Sequence, residues 1–141
     1  VISLGREMML KVFNDETFIV LKKALDGASL RHQVLAHNIA NVDTPRYKRL
    51  DVDFKHQLRL ALDKTAFRGI TTRPRHIPIG PPRLADVKPR VFREEDTSMR
   101  NDKNNVDIDR EMAELYKNSM YYVITARLIS SRYQKLEMVM R

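Results

Sequence analysis

Ile108, Met112, Leu115, Ser119, Tyr122, Ala126, Ile129, Tyr133, Leu136 and Met140 alternate steps of four and three residues through the last quarter of the chain. Such heptad spacing keeps one stripe of an α-helix turned toward a partner over a long distance. A second seam of the same kind runs through Phe18, Leu21, Leu25, Ala28, His32, Leu35, Ile39 and Val42. Together they predict a mainly α fold in which two long helices, over 14–43 and 108–140, pair as an α-helical coiled-coil hairpin. Leu21, Leu25, Leu35, Ile39, Leu115, Tyr122, Ala126, Ile129, Tyr133 and Leu136 are the expected packing and assembly positions. At about 1.5 Å per residue the second helix would be ~50 Å long.

Local chemistry sets the expected ends. Asn14 is placed to cap the first helix, with Asp15 and Glu16 where the helix dipole favours negative charge and Phe13 and Phe18 at hydrophobic-staple spacing. Pro45 lacks a backbone donor and pushes Thr44 out of helical geometry, so the helix is expected to stop at Asp43 or Thr44. Gly27, followed by Ala28, either permits close approach of another helix or is a tolerated surface glycine. Phe54, Leu58, Ala61 and Leu62 predict a short third helix within 51–63. Asp107 is the expected cap of the last helix, with Asp109, Glu111 and Glu114 in its early turns.

Five of the six prolines (Pro74, Pro78, Pro81, Pro82 and Pro89) fall in 66–107. That stretch is read as a loop, partly extended or disordered, with short extended pieces around Ile70–Thr72, Ile77–Ile79 and Val87–Phe92. The chain thus divides into a tail (1–13), a first helix (14–43), a turn and short helix (44–65), a Pro/Arg-rich loop (66–107) and a last helix (108–141).

Composition narrows the function. No run approaches the roughly 18 apolar residues that span a membrane, and Val1 to Lys11 lacks the pattern of a cleavable secretory leader. With no cysteine, disulfides, thiolate metal sites and thiol catalysis are all excluded. The net charge is +8, and residues 66–93 supply most of it, with seven Lys/Arg against Asp86 alone. A basic loop of this kind suits an acidic partner, but only Phe67 and Phe92 are present to stack on bases, so nucleic acid is not expected.

A catalytic inventory comes up empty, and no enzyme, cofactor or metal is expected. His32 and His37 are five apart, off the spacing of a helical metal pair, and His32 sits on the seam as a packed or register-setting polar residue. His56 and His76 stand apart from both. Asp43, Asp51 and Asp53 have no companion base or nucleophile. Asp102, Asn104, Asn105, Asp107 and Asp109 lack the glycine and closing glutamate of a calcium loop, and read as a turn into a helix cap. The four glycines are isolated, so none forms a phosphate cradle.

Two short runs carry more. Ala36-His37-Asn38-Ile39-Ala40-Asn41-Val42-Asp43-Thr44-Pro45-Arg46-Tyr47-Lys48 resembles the A-x-N-I-A-N-x-x-T-P-G-Y-K signature of bacterial flagellar axial proteins of the rod and hook class, with Arg46 where that signature has Gly. Asn104-Asn105-Val106-Asp107-Ile108-Asp109-Arg110-Glu111-Met112 resembles the N-N-V-D-x-x-x-E-M start of the C-terminal helix in the same class. The motif positions are Asn38, Ile39, Ala40, Asn41, Asp43, Thr44, Pro45, Tyr47, Asn105, Val106, Asp107, Glu111 and Met112. Short length, Asp51-Val52-Asp53-Phe54-Lys55 and Arg75-His76-Ile77 make the chain most similar to the proximal rod subunits of the basal body.

The resemblance implies a structural subunit that stacks helically into the periplasm-spanning drive shaft needed for motility. It also implies export by the flagellar apparatus without signal cleavage, and contact with itself, other rod subunits and ring-to-rod adaptors. In the signature, Asn38 and Asn41 are expected to bond the last carbonyls of the helix, and Asp43 and Thr44 to hold the turn before Pro45. The alternatives are the second kind of short proximal rod subunit, or a basic coiled-coil adaptor or nucleic-acid binder using the Arg-rich loop.

Overall fold

The computed structural model describes residues 15–63, 65, 67, 69, 73, 80–95 and 103–140, with Met140 described by its backbone alone. In chain order these form helix α1 (Glu16–Ala40), strand β1 (Leu50–Asp53), helix α2 (Lys55–Leu62), a 3-10 turn (Leu84–Asp86), strand β2 (Arg90–Arg93) and helix α3 (Ile108–Met140). The expected cap Asn14, the staple partner Phe13, and the extended pieces at 70–72 and 77–79 lie outside the described residues.

α1 and α3 run antiparallel against each other. Asp15 accepts from Arg132 Nη1 at 2.6 Å near one end, Phe18 meets Tyr133 edge to face, and Asn38 reaches Glu111 at the other end. Ala24 and Ala28 are buried on α1, and side chains this small let a neighbouring helix backbone come close. Halfway along, Asn118 Nδ2 donates 2.8 Å to the Ala28 carbonyl.

The buried stripe of α3 is not the one its apolar residues predict. Glu111, Asn118 and Thr125, seven apart and all polar, are buried, while Ile108, Met112, Tyr122 and Tyr133 of the expected seam are exposed. Leu115, Ser119, Ala126, Ile129 and Leu136 are half-buried. On α1, Ala28 and Leu35 are buried as expected, Leu21, Leu25 and Ile39 are half-buried, and His32 is exposed instead of packed. The shift is physical: each buried polar group finds a partner, so the contact tolerates polarity that a hydrophobic pattern does not register.

α1 ends at Ala40, short of the expected Asp43. Pro45 is not what stops it. Asn41 Nδ2 turns back to the His37 carbonyl at 2.8 Å, Thr44 N–H donates to the Asn41 carbonyl at 3.1 Å, and Tyr47 N–H to the Thr44 carbonyl at 3.3 Å. These successive turns reverse the chain, and Arg46 sits in them with φ of 61°.

The expected helix over 51–63 is a strand followed by a shorter helix. Val52 is buried and its neighbours are not, an alternation that suits β1. Its antiparallel partner is β2, in the register Leu50↔Arg93, Asp51↔Phe92, Val52↔Val91 and Asp53↔Arg90. The small core lies between α1 and this sheet: Val34, Val52, Phe54, Ala61 and Val87, with Leu30, Leu50, Leu58 and Leu84 packed on it. The extended piece expected around 87–92 overlaps β2, and Leu84 and Val87, expected within a loop region, contribute to the core, Val87 being only 2% exposed. Gly27 is buried in this interface too, where any added methyl would overlap the Phe54 ring.

Candidate functional site

The two motifs, about 65 residues apart in sequence, meet at the junction of α1, β1 and the start of α3. Asn38 lies on the last turn of α1 and is fully buried. Its Oδ1 accepts from Leu50 N–H at 3.0 Å and from the Tyr47 hydroxyl at 3.0 Å. Its Nδ2 donates to the Leu50 carbonyl at 2.7 Å and to Glu111 Oε2 at 2.8 Å. All four bonds that an amide can make are used. The two contacts to the Leu50 backbone imitate a neighbouring strand, so Asn38 closes the outer edge of β1 at Leu50.

Asn105 performs the equivalent service at the end of the ladder. Arg49 N–H donates to its Oδ1 at 2.6 Å, and its Nδ2 donates to the Glu94 carbonyl at 2.9 Å. Asn104 holds the reversal itself, with Nδ2 facing the carbonyls of Asn41, Val42 and Thr44 at 3.2, 2.9 and 2.9 Å. Asp107 Oδ1 then accepts from Asp109 and Arg110 N–H, capping α3 as expected.

Arg49 ties these pieces together from a site 2% exposed. Nε donates to Glu111 Oε1 at 2.6 Å, and Nη1 reaches Glu94 Oε1 at 2.8 Å and Asp51 Oδ2 at 3.0 Å. Burial alone would lower its pKa; the Glu111 and Asp51 carboxylates outweigh that, so it is raised and the guanidinium is held charged. Tyr47 is pushed above its ordinary value, chiefly by burial and then by the Glu111 charge, against a lowering by Arg93. The Tyr47 hydroxyl also lies 2.8 Å from His37 Nδ1.

Each contact of this arrangement fastens one segment of the chain to another. Among the described residues no buried side-chain nitrogen or oxygen lacks a partner, and no group of three or more His, Asp or Glu is arranged to hold a metal ion. No described helix is long and apolar enough to cross a membrane.

Of the motif residues, the junction gathers Asn38, Tyr47, Asn105 and Glu111, with buried Val106 beside them. Asn41 bonds the helix carbonyl expected of it, and Thr44 Oγ1 reaches Asn41 Oδ1 at 3.2 Å. Asn38 does not follow the expectation of bonding the last carbonyls of the helix with its side chain. Asp43, Pro45 and Met112 are exposed, and Ile39 is half-buried. Sequence reasoning missed Arg49 as the hub; a single arginine in a basic run carries no signal. It also read Asn104 as a turn residue, although the Asn104-Asn105 doublet before a helix cap was visible.

No family model matches the sequence. The chain is 33% identical over 121 residues to the flagellar basal body rod protein FlgB of Borreliella burgdorferi, covering 83% of this chain and 90% of that protein. It is 32% identical over 120 residues to FlgB of Bacillus subtilis, covering 85% and 89%. With FlgB of Proteus mirabilis it shares 37% identity over 134 residues, covering 89% and 94%.

Proposed function

Since the chain belongs to the FlgB family of flagellar basal body rod proteins, we propose that it works as the proximal subunit of the rod, with α1 and α3 pairing as a coiled coil in a helically stacked shaft. The junction of Asn38, Arg49, Asn104, Asn105 and Glu111 fixes the direction in which the chain leaves α1 and enters α3. Subunits of a helical polymer must share that direction, or neighbours clash.

The observation that carries this reading is the outer face of α3. Met112, Tyr116, Met120, Val123, Ile124 and Leu128 are 40–70% exposed, more apolar surface than α1 covers. Such a face calls for further neighbours, and a helical shaft supplies them from other rod subunits. Ring-to-rod adaptors and the flagellar export apparatus, which would deliver the chain to the periplasmic side without signal cleavage, complete the expected partners. Binding through the basic segment is the competing reading. Neutralising Arg83, Lys88 and Arg90 together should leave motility intact, whereas charges on the outer face of α3 should abolish it; the opposite pattern would favour the basic segment.

A further inference from the structure

Among the described residues, the two-stranded sheet has one edge closed at Leu50 and the other open. Glu94 N–H donates to the Arg49 carbonyl at 2.9 Å, so 49 and 94 form a hydrogen-bonded pair, and the antiparallel alternation makes 51/92 and 53/90 the next such pairs. Leu50 therefore turns its N–H and C=O away from β2, where Asn38 takes both. By the same alternation Val91 and Arg93 turn theirs away from β1. Among the described residues none meets those four groups. All four β2 residues are exposed, Val91 at 40% and Phe92 at 43%. Open, partly apolar edges of this kind are templates for another strand.

We propose that the β2 edge pairs with the β2 edge of a second copy, antiparallel about a twofold axis through Phe92. The open groups select the register. Val91 must oppose Arg93 of the second copy, which sets Phe92 opposite Phe92 and Arg90 opposite Glu94. Arg90, Phe92 and Glu94 alternate onto one face, so each dimer gains one aromatic pair and two opposite-charge pairs. Glu94 has one oxygen on Arg49 and its second available for Arg90. Shifting by two residues one way opposes Arg93 to Pro89, which has no N–H; shifting the other way opposes Arg93 to Arg93. The register is thus specific to a second copy of this chain.

Strands this short bury well under the roughly 1,200 Å² of a stable interface, so the dimer is weak and concentration-dependent. Its contact is isologous and closed, and cannot propagate along a shaft. It goes beyond the rod reading: it belongs to the free subunit, whose edge it shields before incorporation.

The chain has no cysteine, which makes Phe92→Cys a clean probe. A non-hydrogen-bonded antiparallel pair has Cα atoms about 4.5 Å apart, inside the disulfide window of about 4.4–6.8 Å. Under mild oxidation, with helical circular dichroism unchanged, Phe92→Cys should form disulfide dimers about tenfold faster than Val91→Cys or Asp53→Cys, because pairing raises the local thiol concentration. In the unsubstituted chain, amide exchange at Val91 and Arg93 should slow as concentration rises. Equal dimer formation at the three positions would overturn the proposal. So would exchange at Val91 and Arg93 that is independent of concentration, whether fast (an edge left open) or slow (an edge covered by the same chain).

Discussion

Asn38 and Glu111 are 73 positions apart in sequence, yet the Asn38 amide nitrogen lies 2.8 Å from the Glu111 carboxylate in a site closed to solvent. Glu111 also holds Arg49 at 2.6 Å, so its removal would strand a buried guanidinium. Glu111→Ala should cost about 3–5 kcal/mol, whereas Glu111→Leu combined with Arg49→Met should recover most of that. Urea denaturation of the subunit followed by circular dichroism measures both. A double variant no more stable than the single one would show that the pair itself stabilises the fold.

Arg46 occupies the position where the rod and hook signature has glycine, and its φ of 61° explains that preference. A side chain with a Cβ is strained there by about 1–2 kcal/mol. Arg46→Gly should raise the unfolding free energy measured in urea by a comparable amount, less the extra freedom glycine adds to the unfolded chain, and so raise the midpoint. An unchanged or lower midpoint would mean that the arginine side chain makes good the strain.

At Gly27 the opposite holds. Alanine is the better helix former by about 1 kcal/mol, but its methyl would overlap the Phe54 ring. Overpacking typically costs about 1–3 kcal/mol, so Gly27→Ala should destabilise, and Phe54→Leu in the same chain should relieve part of the loss. Thermal melts of the three variants decide it.

Tyr47 titrates above its ordinary value near 10 because the folded chain favours the neutral phenol. That contribution is complete below the unfolded value and is lost as pH rises through the higher folded one. Phenolate absorbance should show one tyrosine ionising late, with loss of helical signal over the same interval. Tyr47→Phe should remove the late step. A late step that survives the substitution assigns it to another tyrosine.

The long helices were legible because heptads mark them whatever faces they bury. Their contact line was not, since Glu111, Asn118 and Thr125 carry it and an apolar count passes over polar residues. The end of α1 was misplaced because Pro45 is a loud stop signal, while the reversal that ends the helix begins at Asn41. β1 escaped detection because its partner lies about 40 residues downstream, and Phe54, Leu58 and Ala61 offered helical spacing over the same stretch. At the junction, Asn38, Asn105 and Glu111 were marked by the motifs. Arg49 was not, because a buried arginine is defined by three carboxylates that only the fold assembles around it.

Leu128 lies on the outer face of α3 and is 51% exposed, so Leu128→Asp separates folding from assembly. Surface changes of this sort alter stability by only about 0.5 kcal/mol, and the urea midpoint should stay close to that of the parent chain. The decisive measurement is motility, with electron microscopy of basal bodies, in cells whose sole copy of the subunit carries Leu128→Asp. The subunit should reach normal levels while cells stay non-motile and basal bodies lack a rod. Motile cells with intact rods would contradict the assignment of this face as the contact that builds the shaft.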